Sequence, residues 1–178
     1  VQEVEIGCGG TPGTAHADAI KFMEHPELIE QFQETVDKYG IGVAALSCHG
    51  NPVHPNKEVA NAYHGQFEAA ICLAEKLGVK TVVGFSGCPG DCENSQYPNW
   101  VVATWPDDFQ KIKEWQWNEK LIPYWKKEAK FAEEHNVHQI AFEMHPGFCV
   151  YNPGTLLRLR EAVGPVIGAH SGPGTLAL

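Results

Sequence analysis

Residues 140–147 (IAFEMHPG) place a glutamate and a histidine two positions apart at the end of an apolar run. Side chains alternate between the two faces of a β-strand, so a strand reaching this far would point Glu143 and His145 in the same direction. A carboxylate beside an imidazole can bind a divalent metal ion or transfer a proton. The segment therefore predicts a catalytic or metal-binding site at the end of a strand, with Glu143 and His145 among its residues.

Four other apolar runs end in clusters of Gly, Cys, His, Pro and acidic residues. Helical patterns lie between them, so the chain repeats the order strand, polar loop, helix. This order predicts parallel strands joined by crossover helices, with the loops gathered at one end of the sheet, where ligands bind in such folds. The four runs are EIGCGGTPG from Glu5, LSCHGNPVHP from Leu46, VGFSGCPGD from Val83 and IGAHSGPG from Ile167.

The predicted strands and helices alternate along the chain and indicate an α/β fold. Near-continuous apolar strands are typical of sheets that are covered by helices or closed into a barrel. Five parallel strands are compatible with an open doubly wound sheet and with part of an eight-stranded barrel. Pro123 predicts a kink or break in the third helix. The strands are expected at residues 4–6, 41–47, 79–85, 137–143 and 165–169, and the helices at 26–39, 57–77, 109–136 and 155–163.

Composition limits the classes of protein to which the chain can belong. Its 178 residues, 43% of them hydrophobic, are enough for one domain, which we expect to cover residues 1–178. The formal net charge of −9, with only 13 Lys and Arg, argues against nucleic acid as a partner. No run approaches the roughly 18 apolar residues of a membrane span, and residues 1–10 do not resemble a signal peptide. We therefore expect a cytoplasmic protein with no membrane partner.

Six cysteines are present, five of them at or near predicted strand ends or loops. A disulfide framework belongs to short secreted chains, so reduced thiols are the expectation here. Cys88 and Cys92 form a C-x-x-x-C pair that resembles half of a zinc site, but no second pair stands at finger-like spacing.

Several longer motifs resemble the sugar phosphate isomerase/epimerase family, whose members have a xylose-isomerase-like TIM barrel. The motifs include VEIGCGG, ALSCHGNPVHPNK, TVVGFSGCPGD, EWQWNEKLIPYWK, AFEMHPGFCVYNP and LLRLREAVGP, and they span essentially the whole chain. The resemblance implies a (β/α)₈ barrel with a divalent-metal site (Mn, Co, Mg or Zn) at the strand ends. It also implies that this chain holds about strands two to six, an incomplete barrel whose edge strands need a cover.

The resemblance implies that Glu143 is the first of four metal ligands, which in the family are a Glu, an Asp, a His and a second Glu. The chain departs from the family after the fifth strand, where it reads AHSGPGTL and relatives read something like ANFDPSHL. Gly172 and Thr175 stand where relatives carry Asp and His. His170, at the same strand end, is the candidate that would supply a nitrogen ligand in place of the missing oxygen.

The implied reaction is isomerisation or epimerisation of a sugar or sugar phosphate, which removes a proton beside a carbonyl group. Glu143 would bind the metal and act as a base, with His145 and His49 as further catalytic candidates. His54 would bind substrate hydroxyls, and Glu5 would face the barrel interior or, alternatively, water. Three aromatic residues are candidates for stacking on a sugar ring or for packing a loop: Trp100, Trp105 and Phe148.

Two other functions stay open at this point. One is a metal-dependent hydrolase or endonuclease on the same barrel, which the negative charge disfavours. The other is a catalytically inactive barrel fragment that is stabilised by self-association into a homo-oligomer. The predicted strand-end loops contain only Lys21 and Lys57 as positive residues, so a neutral sugar, or a phosphate held elsewhere, fits better than a phosphate bound here.

Overall fold

Five parallel strands alternate with helices in the computed structural model, which describes residues 2–170. The strands form one sheet in the order β1-β2-β3-β4-β5, and every neighbouring pair is parallel. Each connection is therefore a crossover that returns the chain to the same end of the sheet. The strands are β1 (Glu3–Gly10), β2 (Gly42–His49), β3 (Thr81–Gly84), β4 (Gln139–Glu143) and β5 (Ile167–His170).

Six α-helices and one π-helix make these crossovers. Asn56 caps the longest helix by accepting the amide hydrogen of Glu58 at 2.9 Å, and Gly78 ends that helix with a φ of 71°. No helix within residues 2–170 has the length and apolarity to cross a membrane. The helices are α1 (Ala19–Glu24), α2 (Pro26–Lys38), α3 (Lys57–Leu77), α4 (Asp107–Trp115), the π-helix (Gln116–Leu121), α5 (Ile122–Glu134) and α6 (Pro153–Val163).

The predicted strands and the alternation of strands with helices are confirmed, with two differences in the first third of the chain. No helix was expected between residues 7 and 25. Asp18 nevertheless caps the six-residue helix α1, and Phe22 of this helix is buried. Strand β1 continues through the glycine run to Gly10, where φ is 65°. A side chain at Gly10 would overlap the backbone of His49, so glycine lets β1 run close beside the end of β2.

The single long helix expected over residues 109–136 is divided into α4, the π-helix and α5. Pro123 is the second residue of α5 and has no amide hydrogen to donate to the preceding turn. Just before it, the amide of Ile122 donates to the carbonyl of Trp117, five residues back. The break predicted from Pro123 is therefore present, and it takes the form of a widened π turn.

The sheet is strongly curved. In a flat sheet, strands at a spacing of about 4.8 Å would leave β1 and β5 roughly 19 Å apart. Glu5 of β1 and His170 of β5 nevertheless meet, with Oε2 and Nε2 2.8 Å apart. The five strands therefore form an arc of a barrel, and both side chains point into its concave face.

The main core lies on the convex side, between the sheet and the helices. Trp125 of α5 is fully buried there, and its ring contacts Phe67 and Phe142 edge-on. Its indole nitrogen also donates a hydrogen bond to the carbonyl of Ser86, 2.8 Å away in the loop after β3. The long helical segment thus supplies aromatic residues to the core, and it fixes a loop at the strand ends.

Candidate functional site

The concave face collects ionisable side chains from four strands. Residues that alternate with them, such as Leu46 and Cys48 of β2, point to the helices and belong to the main core. The concave set comprises Glu5, His49, Glu143 and His170, and all four were predicted as site residues. Strand alternation thus brings together residues that lie up to 165 positions apart in the chain.

His49 and Glu143 form the first pair of this site. His49 Nε2 lies 3.0 Å from Glu143 Oε2, and the two side chains are 7% and 46% exposed. The contact has an ion-pair distance without hydrogen-bond alignment, and neither ring nitrogen of His49 has a hydrogen-bond partner among residues 2–170. Burial lowers the pKa of His49, and this effect outweighs the attraction of the Glu143 carboxylate. His49 is therefore a neutral imidazole at neutral pH beneath a half-exposed carboxylate.

Glu5 and His170 form the second pair. Their contact at 2.8 Å joins the first and fifth strands, and both side chains are about one-fifth exposed. His170 is also the direct register partner of Glu143 across β4 and β5. The two acid–imidazole pairs therefore lie side by side on one surface, and Glu5 faces the interior of the arc.

Phe85 forms the apolar floor between the strands. Its ring lies 4.5 Å from the ring of His49, edge-on, and stacks on Phe148 at 4.2 Å with an interplanar angle of 18°. Phe148 was predicted to contact substrate, whereas Phe85 was missed. The signal was present in the sequence, because the predicted strand 79–85 puts Phe85 on the same face as Val83, although β3 itself ends at Gly84.

His145 reaches this site by a different route from the one predicted. Strand β4 ends at Glu143, so strand alternation does not extend to His145, and that part of the prediction is wrong. The ring of His145 is exposed, 5.3 Å from the Phe85 ring, and its Nδ1 lies 2.6 Å from the carbonyl oxygen of Pro146. Its own loop therefore orients this histidine near the mouth of the site.

Three other predicted substrate-binding residues lie away from the concave pairs. The Nδ1 atom of His54 accepts the amide hydrogen of Asn56 at 3.0 Å, and the residue lines a separate cavity of about 300 Å³ beside Tyr124. Trp100 donates its indole hydrogen to the carbonyl of Phe148 at 2.9 Å and so supports the site from behind. Trp105 is 81% exposed.

Buried polar contacts fix the loops that carry the site. The carboxamide of Asn51 accepts the amide hydrogen of Cys88 at 3.0 Å and donates to the carbonyl of the same residue at 2.9 Å. The hydroxyl of Ser86 accepts the amide hydrogen of Val150 at 2.9 Å. All six cysteines are free thiols, as expected, and Cys88 is buried whereas Cys92 is exposed. The loops after β2, β3 and β4 are thus joined to one another.

A metal ion fits only part of this site. Glu143 offers a half-exposed carboxylate of the kind that divalent ions bind. Within residues 2–170, however, the concave donors do not form a group of three ligand atoms that lie within 4.8 Å of one another. Gly172 and Thr175, where the sequence departs from its relatives, lie outside the described residues. The described donors therefore provide one point of attachment and do not complete a coordination shell.

Comparisons with known proteins agree with the fold. Residues 2–170 match the xylose isomerase-like TIM barrel family. The chain is 35% identical over 178 residues to the uncharacterized protein YfiH of Bacillus subtilis (strain 168). The aligned region covers 99% of this chain and 56% of YfiH.

Solved structures give the same picture at lower identity. The crystal structure of a D-tagatose 3-epimerase-like protein superposes with a TM-score of 0.61 at 18% identity, covering 94% of this chain and 55% of that one. IolI, crystallised with a bound zinc atom, superposes with a TM-score of 0.58 at 17% identity, covering 95% of this chain and 52% of that one. These likenesses show a shared fold, and this chain spans about half the length of each relative.

Proposed function

The chain belongs to the xylose isomerase-like TIM barrel family, and we propose that the whole protein is a metal-dependent isomerase or epimerase of a sugar or sugar phosphate. The observation that carries the proposal is the pairing of His49 with Glu143 above the floor formed by Phe85. The sugar-processing enzymes among the structural neighbours support this choice of substrate class.

Removing a proton beside a carbonyl needs a base that substrate can reach and a positive centre for the negative charge that develops. Glu143 is 46% exposed and faces the open side of the arc, so its carboxylate can meet substrate. His49, buried below and neutral, faces the same carboxylate with its Nε2 atom. We assign Glu143 the proton transfer and His49 the positioning of that carboxylate.

A divalent ion would be held by Glu143 together with ligands outside the described residues, and it would polarise the carbonyl oxygen of the substrate. His170 was the second ligand candidate from the sequence. Because its Nε2 faces Glu5 at 2.8 Å, we propose instead that His170 and Glu5 bind sugar hydroxyls as a pair. A carboxylate and an imidazole together offer acceptors and a donor of the kind that sugar hydroxyls need.

The aromatic floor suits a sugar ring. Phe85 and Phe148 stack in parallel at 4.2 Å and present an apolar surface beside the two acid–imidazole pairs. Sugars combine an apolar ring face with polar edges, so this surface and the carboxylates around it match both parts of such a ligand. The net charge of −9 argues against the alternative of a nucleic-acid substrate.

The test is solvent-hydrogen exchange in the intact protein. We expect the protein, supplied with Mn²⁺, Co²⁺, Mg²⁺ or Zn²⁺ and a ketose such as D-tagatose, to incorporate deuterium from D₂O beside the carbonyl, observed by NMR. Glu143→Gln should lose at least about a hundredfold in this rate, within the typical contribution of general acid–base catalysis. Glu75→Gln is the matched control, because Glu75 pairs with His135 at the end of α3, and it should keep the wild-type rate.

Two outcomes would contradict the proposal. One is a Glu143→Gln variant that exchanges hydrogen at the wild-type rate. The other is the absence of exchange with every ketose and ketose phosphate tested, with hydrolysis of a sugar derivative in its place, which would favour the hydrolase alternative.

A further inference from the structure

A second cluster of metal-ligating residues lies on the convex side, away from the concave site. His64 and Glu68 of α3 and Glu128 of α5 each offer one ligand atom, and these atoms lie within 4.8 Å of one another. No other group of this kind occurs in the part of the chain that the structure describes. The three ligand atoms of this cluster are therefore close enough together to share one ion, unlike those of the concave donors.

Glu128 is the unusual member, because it is a carboxylate inside the helix layer. The residue is only 3% exposed, and its Oε2 atom has no hydrogen-bond partner within residues 2–170. Its Oε1 atom lies 3.6 Å from His64 Nδ1, so the carboxyl group points into the cluster. A buried carboxylate is costly unless a cation, a proton or hydrogen bonds compensate it, and the unpartnered oxygen shows that the protein supplies only part of that compensation.

His64 and Glu68 form the open side of the cluster. They are four residues apart on α3 and therefore on one face of the helix, with His64 Nε2 3.5 Å from Glu68 Oε1. Their side chains are 37% and 39% exposed, so an ion can reach the cluster from solvent. The hydroxyl of Tyr124 lies 3.2 Å from His64 Nδ1, and the two rings pack edge-on. These contacts orient the imidazole, as residues behind the ligands do in metal sites.

We propose that His64, Glu68 and Glu128 bind a divalent transition-metal ion, with Zn²⁺ the best match, and that the ion ties α3 to α5. Imidazole nitrogens and carboxylate oxygens are both zinc ligands in proteins, and three such ligands leave the fourth position of a tetrahedral ion open for water. Three donor atoms within 4.8 Å of one another have a centre at most about 2.8 Å from each, so zinc bond lengths of about 2.0–2.2 Å require side-chain shifts below roughly 1 Å.

Electrostatics support this assignment. Burial, together with the nearby Glu68 carboxylate, raises the pKa of Glu128 to about 7. The two neighbouring carboxylates repel each other, and either a proton on Glu128 or a bound cation relieves that repulsion, so zinc and protons compete for this site. The site does not depend on the proposed isomerase function, since none of its residues lies on the concave face.

The test is a Zn²⁺ titration of the intact protein after removal of metal with a chelator, followed by calorimetry and metal analysis. We expect His64→Gln and Glu128→Gln each to lose one bound zinc or to bind it at least about tenfold more weakly, the scale on which metal sites respond to lost partners. His135→Gln is the matched control, because His135 also pairs with a helix glutamate, at 2.7 Å, but has no third buried acid. It should bind zinc like the wild type.

The variant Glu143→Gln distinguishes zinc bound at the strand ends from zinc bound at the convex cluster. In that background the convex site should remain, and bound Co²⁺ should give a visible absorption band that disappears on adding His64→Gln. Circular dichroism in the presence of chelator checks that each variant folds. If Glu128→Gln does not fold, His64→Gln alone tests the site. The proposal is overturned if folded His64→Gln binds zinc with wild-type stoichiometry and affinity, or if Glu143→Gln alone abolishes all zinc binding.

Discussion

Asn51→Ala is the sharpest test of how the loops hold the site. The carboxamide of Asn51 is 9% exposed and satisfies both the amide and the carbonyl of Cys88, a residue 37 positions away that is 1% exposed. Alanine removes both partners at once and leaves two buried backbone groups without a hydrogen bond. The loop affected begins at Phe85, which forms the floor of the concave site.

The magnitude follows from the number of groups left unpaired. Each buried donor or acceptor that loses its partner costs about 1–3 kcal/mol, so the two at Cys88 together predict a loss of about 4 kcal/mol in the free energy of unfolding. This is a large part of the stability of a typical domain. Asn118→Ala is the control, because Asn118 makes an exposed 3.4 Å contact to Glu114 and should cost no more than about 0.5 kcal/mol.

Urea unfolding measures the free energy, and hydrogen exchange followed by mass spectrometry measures the protection of the loop. We expect Asn51→Ala to unfold at lower urea and to exchange the amide of Cys88 much faster, while the amides of α2 keep their protection. The reasoning is refuted if the Cys88 amide stays as protected as in the wild type, because the carboxamide would then not be its essential partner.

Two further predictions concern the ends of β1 and β2. Gly10→Ala should lower the free energy of unfolding, measured in urea, by at least about 2 kcal/mol, because alanine is strained at a φ of 65° and its Cβ would overlap the backbone of His49. A variant as stable as the wild type would contradict this. Burial raises the pKa of Cys48 to about 12, so iodoacetamide at pH 8 should alkylate exposed Cys92 first and leave Cys48 unmodified. Early alkylation of Cys48, detected by mass spectrometry, would contradict the packing.

Sequence pattern predicted the sheet because the signals that mark its strands and crossover helices are local in the chain. Apolar runs that end in polar clusters mark the strands, and side-chain alternation then assigns the faces. This rule left open whether Glu5 faces the interior or water, and it did not reach His49, which lies beyond the predicted strand 41–47. The structure puts both side chains on the concave side. The sequence also contained the signal for Phe85, two positions after Val83 in the predicted strand 79–85, but that residue was not selected.

What the sequence did not show depends on contacts between distant segments. Strand β4 ends at Glu143, as the predicted strand 137–143 does, so the position of His145 depends on the following loop and on the contact of its ring with Phe85. The role of Asn51 exists only once the loops after β2 and β3 lie together. The cluster around Glu128 likewise needs α3 and α5 side by side, since the helical pattern of α5 alone gives a buried glutamate no partner.

The two sites share one support, and this decides which zinc variant is more informative. Trp125 and Glu128 lie three residues apart on one face of α5, and Trp125 holds the carbonyl of Ser86, the residue after Phe85. A change at Glu128 can therefore shift α5 and disturb the concave floor through packing alone. His64 lies on α3 and is 37% exposed, so His64→Gln removes a ligand from the opposite helix. It loses the contact with Tyr124 but keeps Trp125 and its hydrogen bond to Ser86 in place. A loss of zinc in that variant with unchanged hydrogen exchange on the sugar thus assigns the ion to the convex cluster.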